Sequence, residues 1–181
     1  MTPRTVLLLA LATQGVLIAI AWAASEVFDL PPRWGTPGRD AAIGVAVAAA
    51  LGGINHLMLV RAPANWIVSG VRAVYHETLV PLFARISPVA VVLLGAAAGL
   101  GEEWLFRGIV QPLIGIVGAS LAFGLAHIGG ARMLAFGVWA SAMGLVMGGL
   151  AAATGGLTAP IVAHGVYDML ALEYIRRGSN H

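Results

Sequence analysis

Apolar positions run along this chain in blocks, not stripes. Thr5 to Ala24 is almost wholly apolar, and Asp29-Leu30-Pro31-Pro32 begins a turn-rich connection after it. Further blocks cover Ala41 to Val60, Pro88 to about Leu113, Ile116 to Ile128, Leu134 to Ala153 and Leu157 to Ile175. Gly115, Gly129-Gly130 and Gly155-Gly156 separate the later ones. A helix needs roughly 20 apolar residues to cross a bilayer core, so the pattern predicts about six transmembrane spans, the one from 116 to 128 being short. Residues 62 to 86 differ. There Trp66, Ile67, Val71, Val74, Tyr75 and Leu79 alternate with Arg72, His76 and Glu77 at near-helical spacing, which predicts an amphipathic helix at the interface. The expected fold is all-α: a polytopic transmembrane helical bundle forming one integral membrane domain over residues 1–181.

Composition sharpens the picture. The 181 residues are 59% hydrophobic and 10% charged, with a mean hydropathy of +0.89, outside the range of a water-soluble domain. Cysteine is absent, which excludes disulfides, thiolate metal sites and cysteine catalysis. The 10 basic residues are all arginine and lie scattered, a pattern of topology and lipid attraction, not of nucleic-acid binding. With six spans and an inside N-terminus, Arg4, Arg61, Arg72, Arg85, Arg132, Arg176 and Arg177 fall on the cytoplasmic side. Arg33 and Arg39 fall outside, so both termini are expected in the cytoplasm. Ala21-Trp22-Ala23 resembles a signal cleavage site, but the apolar run before it is long for a signal peptide, and the span is expected to be retained.

Against that background a few ionisable residues stand out. Glu102, Glu103 and Arg107 lie on the third span, His127 on the fourth, His164 and Asp168 on the sixth. If the chain turns near Ile114-Gly115, Glu102 and His127 each lie about 12 residues from the turn, roughly 18 Å at 1.5 Å per residue. His164 and Asp168 lie about 14 to 20 Å below the Gly155-Gly156 turn on the same scale, so three helices bring polar groups to one layer. Glu103 and Arg107 are four apart and share a face, where they can pair, while Glu102 is rotated about 100° away. His164 and Asp168 are also four apart. As structural glue these would be an ion pair and a His–Asp hydrogen bond. Their gathering on three spans favours a functional cluster, because intramembrane ionisable groups are rare and mark pathways or active sites.

A carboxylate beside an imidazole can hold and deprotonate water, and a second histidine with its partner could stabilise an oxyanion. That describes a protease without a covalent nucleophile. Ser120 and Ser141 lack a Gly-x-Ser-x-Gly setting and a base partner. Two Glu, two His and one Asp could also make a metal site, although the His-Glu-x-x-His helix signature is missing, and no metal or other cofactor is expected. Gly95–Gly99 and Gly144–Gly148 read as close helix packing. His56 reads as packing or interfacial, His76-Glu77 as facing water or headgroups, and His181 as uninformative.

Glu102-Glu103-Trp104-Leu105-Phe106-Arg107 resembles the Glu-Glu-x-x-x-Arg motif of the CAAX-processing and bacteriocin-immunity (CPBP, Abi-like) family of intramembrane glutamic proteases. Phe123-Gly124-Leu125-Ala126-His127 is similar to its Phe-x-x-x-His motif, and His164-Gly165-Val166-Tyr167-Asp168 to its His-x-x-x-Asn or Asp motif. The resemblance covers about residues 88 to 175, the expected catalytic core. It implies a metal-independent endopeptidase in which Glu102 and His127 activate water, His164 and Asp168 line the oxyanion site, and Glu103 and Arg107 position the first pair. Asp168 departs from the asparagine form of the motif, because an ionised carboxylate cannot donate a hydrogen bond. Either it is protonated, or it orients and charges His164.

The chain is shorter than the family's eukaryotic members, and its lysine-free, Ala/Gly/Arg-heavy composition points to a GC-rich bacterial genome and a bacterial inner membrane. The expected partners are the bilayer and a membrane-associated peptide or protein, a leader peptide or C-terminal anchor sooner than a prenylated CAAX tail. The rival readings are a non-catalytic immunity or scaffold protein, a proton relay in a transporter, and a metal-dependent membrane hydrolase.

Overall fold

Proline and small polar residues start the helices. In a computed structural model of the chain, residues 2–178 are described, and every regular element among them is helical. Helix α1 (Pro3–Val27) begins with Pro at a position where a missing N–H breaks no hydrogen bond, and the Thr2 hydroxyl accepts from the Thr5 N–H at 3.1 Å. Helix α2 (Pro37–Val60) also starts on proline. The connection between them is fastened to the far end of the fold: the Leu157 N–H donates to the Arg33 carbonyl at 2.7 Å, and the Thr158 hydroxyl donates to that of Trp34.

The amphipathic stretch is a broken helix. Helix α3 (Trp66–Val74) passes through a wide π turn at Tyr75–Leu79 into α4 (Val80–Phe83). Val68, Val71 and Val74 are buried, whereas His76 and Glu77 are exposed. Arg72 turns back onto the end of α2, where its guanidinium donates to the carbonyls of Leu59 at 2.9 Å and of Met58 and Ala62 at 2.8 Å. A helix end leaves such carbonyls unpaired, so this one arginine closes α2 and anchors α3.

Helix α5 (Pro88–Glu103) starts from a Ser87 cap and runs through a π segment (Trp104–Val110) into α6 (Gln111–Ala126). Gly115, at φ 77° and ψ 170°, breaks the run in a conformation side chains resist. The chain doubles back there, so the rings of Phe106 and Phe123 meet edge to face at 5.0 Å. A short 3₁₀ turn (Ala131–Met133) leads to α7 (Leu134–Thr154), which ends on Gly155 in the left-handed region at φ 72°. Helix α8 (Thr158–Gly178) closes the fold.

Four runs are long and apolar enough to cross a membrane: Pro3–Val27, Pro37–Val60, Pro88–Ala126 and Ala131–Thr154. The third, of 39 residues, makes two legs because of Gly115. Helix α8 is less apolar, since it carries His164, Asp168, Glu173, Arg176 and Arg177, and it packs mainly against α2 and α5. Glycines set that approach. A methyl carbon added at Gly99 would lie 2.9 Å from the Gly165 nitrogen, and one at Gly144 of α7 would lie 3.0 Å from the Ser120 Cα of α6. Leu8, Val16, Trp22, Val117 and Leu125 point outward and exposed. An apolar exterior around a polar interior is what a lipid solvent demands. The chain is an integral membrane protein built as a helical bundle.

Candidate active site

The cluster is assembled where α5 passes into its π segment. A π turn widens the helix and is frequent at functional sites; here it follows directly on Glu102 and Glu103. Glu103 is fully buried, and its Oε1 accepts from Arg107 Nη1 at 3.1 Å and from His164 Nδ1 at 2.6 Å. Arg107, itself buried, donates through Nη2 to the Gly144 carbonyl of α7 at 3.0 Å and stacks over the Phe123 ring at 4.7 Å. One carboxylate and one guanidinium thereby tie α5, α7 and α8 together.

That arrangement corrects two expectations. His164 and Asp168 approach no closer than 3.7 Å, Nε2 to Oδ2, beyond hydrogen-bond range. The group that orients His164 is Glu103, because the Nδ1 edge of the ring faces α5 and the Nε2 edge faces the cluster. Glu103 and Arg107 therefore hold the second histidine, and among the described residues no hydrogen bond joins either side chain to Glu102 or His127.

Glu102 points the other way. Its Oε1 accepts from Gln14 Nε2 of α1 at 2.8 Å. Its Oε2 is buried without a hydrogen bond among the described residues, 3.8 Å from His127 Nε2 and 3.9 Å from His164 Nε2. His127 stands at the C-cap of α6, where Nδ1 lies 2.8 Å from the Phe123 carbonyl oxygen. A carbonyl only accepts, so Nδ1 carries the hydrogen and a neutral ring presents its Nε2 lone pair toward Glu102. The Phe123 ring also lies 4.5 Å from the His127 ring and 5.8 Å from that of His164, walling both imidazoles on one side.

Above this floor is a cavity of about 310 Å³. Glu102, His127, Asp168 and Gln14 line its polar end, while Tyr75, Phe83, Leu172 and Ile175 line the rest. A second cavity of about 350 Å³ opens between α2 and α8 and shares Asn55, Leu59, Tyr167 and Tyr174 with the first. His56 is there, its ring 5.6 Å from Tyr174. The Ser120 and Ser141 hydroxyls donate to the carbonyls of Ile116 at 2.7 Å and Gly137 at 3.0 Å, each one turn back on its own helix. Among the described residues, no three His, Asp or Glu side chains are arranged to hold a metal ion. His181 lies outside the described residues.

Sequence reasoning missed Gln14. Its only signal is an amide in the middle of an otherwise apolar span, and its partner is 88 residues away. The Glu103–His164 bond, across 61 residues, was equally silent in local spacing.

The segment that carries the fully buried Glu103 and the half-buried Glu102 matches known proteins. Residues 84–170 match the family described as type II CAAX prenyl endopeptidase Rce1-like. YpbD of Bacillus subtilis, a protein described as uncharacterized, is 29% identical over 101 residues, a stretch that is 53% of this chain and 53% of that protein. The chain thus matches about half the length of this relative. No solved structure matches. The matched segment begins just before α5 and contains all six cluster residues that carry a charge or an imidazole, Glu102, Glu103, Arg107, His127, His164 and Asp168. Through residues 84–170 the chain resembles the family described as type II CAAX prenyl endopeptidase Rce1-like.

Proposed function

We propose that the chain is an intramembrane glutamic endopeptidase that hydrolyses a peptide bond with water activated by Glu102 and His127. The observation that carries this reading is the Glu102 Oε2 atom, buried without a hydrogen bond among the described residues and set between His127 Nε2 at 3.8 Å and His164 Nε2 at 3.9 Å. Those gaps are too long for direct hydrogen bonds and match the reach of a base acting through one water.

In the reaction, water donates one hydrogen toward Glu102 Oε2 and the other toward the His127 Nε2 lone pair. Its oxygen attacks the carbonyl carbon, and Glu102 takes the proton. His164, holding Nδ1–H against Glu103, turns Nε2–H toward the oxyanion, with Asp168 at 3.7 Å as a nearby counter-charge. Collapse of the tetrahedral intermediate breaks the C–N bond, and the amine leaves with the proton from Glu102. This route passes through no metal and no acyl-enzyme.

The substrate in this reading is a membrane-associated peptide, such as a leader peptide or C-terminal anchor, whose apolar part fits the mostly apolar wall of the cavity beside Glu102. The cavity lies toward the end of the bundle where α1 starts and α2 and α8 end, near Arg4, Arg61, Arg176 and Arg177. We take that end to be cytoplasmic, in a bacterial inner membrane, by the bias of arginines toward the inside. The test is an unbiased cleavage screen of membrane peptides by protein purified in detergent, with Glu102→Gln as the blank. New peptide termini made only by the wild type are expected; an identical set from both proteins overturns the reading.

A further inference from the structure

We infer that Gln14, on the first helix and outside the matched segment, is a positioning residue that fixes the rotamer of Glu102. The inference rests on the proposed role of Glu102 and adds to it a component that none of the three polar motifs contains.

Three observations converge. First, Gln14 Nε2 lies 2.8 Å from Glu102 Oε1, and an ionised carboxylate only accepts, so the amide must present its N–H₂ end. Second, with Oε1 occupied, Oε2 is the oxygen left facing His127 and His164. The amide thus decides which carboxylate oxygen is free and holds it in place. Third, the approach of α1 depends on the residue beside Glu102. A Cβ at Gly101 would lie 2.8 Å from Gln14 Oε1 and 3.1 Å from the Gln14 carbonyl oxygen, so only glycine lets the amide sit where it does. Trp104 Nε1, donating to Ser25 Oγ of α1 at 3.2 Å, fastens the same two segments further along.

A carboxylate on a helix has several staggered rotamers open to it, and a base must be held close to its working geometry. Among the described residues, no arginine or backbone N–H donates a hydrogen bond to Glu102; the Arg107 donors go to Glu103 and the Gly144 carbonyl. Among the described residues, Gln14 is the hydrogen-bond donor to it. The side chain also has the right reach: asparagine, one methylene shorter, would fall short of Oε1.

The experiment compares Gln14→Met, Gln14→Asn and Gly101→Ala with the wild type in detergent. Methionine fills similar space without a donor, so a residue needed only for packing would be replaced with little effect. The inference predicts that kcat falls about 10- to 100-fold in Gln14→Met, the range of a hydrogen bond to a charged group, while KM stays within about twofold. Gln14→Asn falls similarly, and Gly101→Ala falls without adding further to the loss in the double variant with Gln14→Met. Unchanged kcat in Gln14→Met, alongside an inactive Glu102→Gln, overturns the inference and leaves the peptidase reading standing. If the wild type and Glu102→Gln are equally inert, the peptidase reading fails instead. The Gln14 contact is then judged by thermal midpoints of Gln14→Met, Glu102→Gln and their combination: non-additive shifts uphold the link, and additive ones overturn it.

Discussion

Removing the charge of Arg107 tests how the cluster is held together. In Arg107→Met the side chain keeps most of its length but loses both donors, to Glu103 at 3.1 Å and to the Gly144 carbonyl at 3.0 Å. Glu103 is then a fully buried carboxylate whose remaining partner is His164. Breaking one half of a buried pair costs about 3–5 kcal/mol, chiefly because the other charge is left uncompensated. At about 2–4 °C per kcal/mol for a chain of this size, the thermal midpoint should fall by roughly 6–20 °C. Glu103→Gln should lose a comparable amount for the mirror-image reason. The double variant removes both charges and should be more stable than the sum of the singles by about 0.5–3 kcal/mol. Tryptophan fluorescence or size-exclusion melting in detergent reads all four proteins. Cleavage should not return in the double variant, because His164 has lost the carboxylate that fixes its Nδ1. Strictly additive midpoints, or single variants within about 2 °C of the wild type, refute the pairing.

Other outcomes follow from the same geometry. Asp168→Asn should retain most of the cleavage activity, since His164 is oriented by Glu103 and not by Asp168; steady-state rates check it. Gly99→Leu should lower yield and midpoint by forcing α5 off α8, at a cost of about 1–3 kcal/mol or more, whereas the same change at Gly53, which faces open space, should be silent. Reporter fusions to the two ends should both read cytoplasmic; opposite readings would contradict the six-leg topology and the arginine bias.

Much of the site was visible in the sequence because the bilayer makes charge conspicuous. Glu102, Glu103, Arg107, His127, His164 and Asp168 are legible as rare ionisable groups in apolar blocks, and helix rise from Gly115 places Glu102 and His127 at one depth. The fold class is legible for the same reason: block length and glycine breaks define the legs. What local spacing cannot reveal is which edge of a ring faces which helix. The His164–Asp168 pair looked like the natural bond because the two are four residues apart, yet at 3.7 Å it yields to the 2.6 Å bond with Glu103 across the bundle. Gln14 was hidden similarly, its role set by how closely α1 passes Gly101. The π segment after Glu103 left no sequence signal that separates it from ordinary helix. Arg72 was read as the polar face of an interfacial helix, but it is spent on the carbonyls that end α2.

The central claim is that Glu102 takes the proton from the attacking water, and the most direct measurement is single-turnover cleavage of one peptide by the wild type and by Glu102→Gln. Glutamine keeps the shape and the Gln14 contact distance but cannot act as a base. General-base assistance is worth about 10²- to 10⁴-fold, and loss of water positioning adds to it, so the variant should cleave nearly undetectably while keeping its yield and fold. Chelators should leave the wild-type rate unchanged. Equal rates for the two proteins, or a wild-type rate abolished by chelation and restored by a divalent metal, would contradict the account.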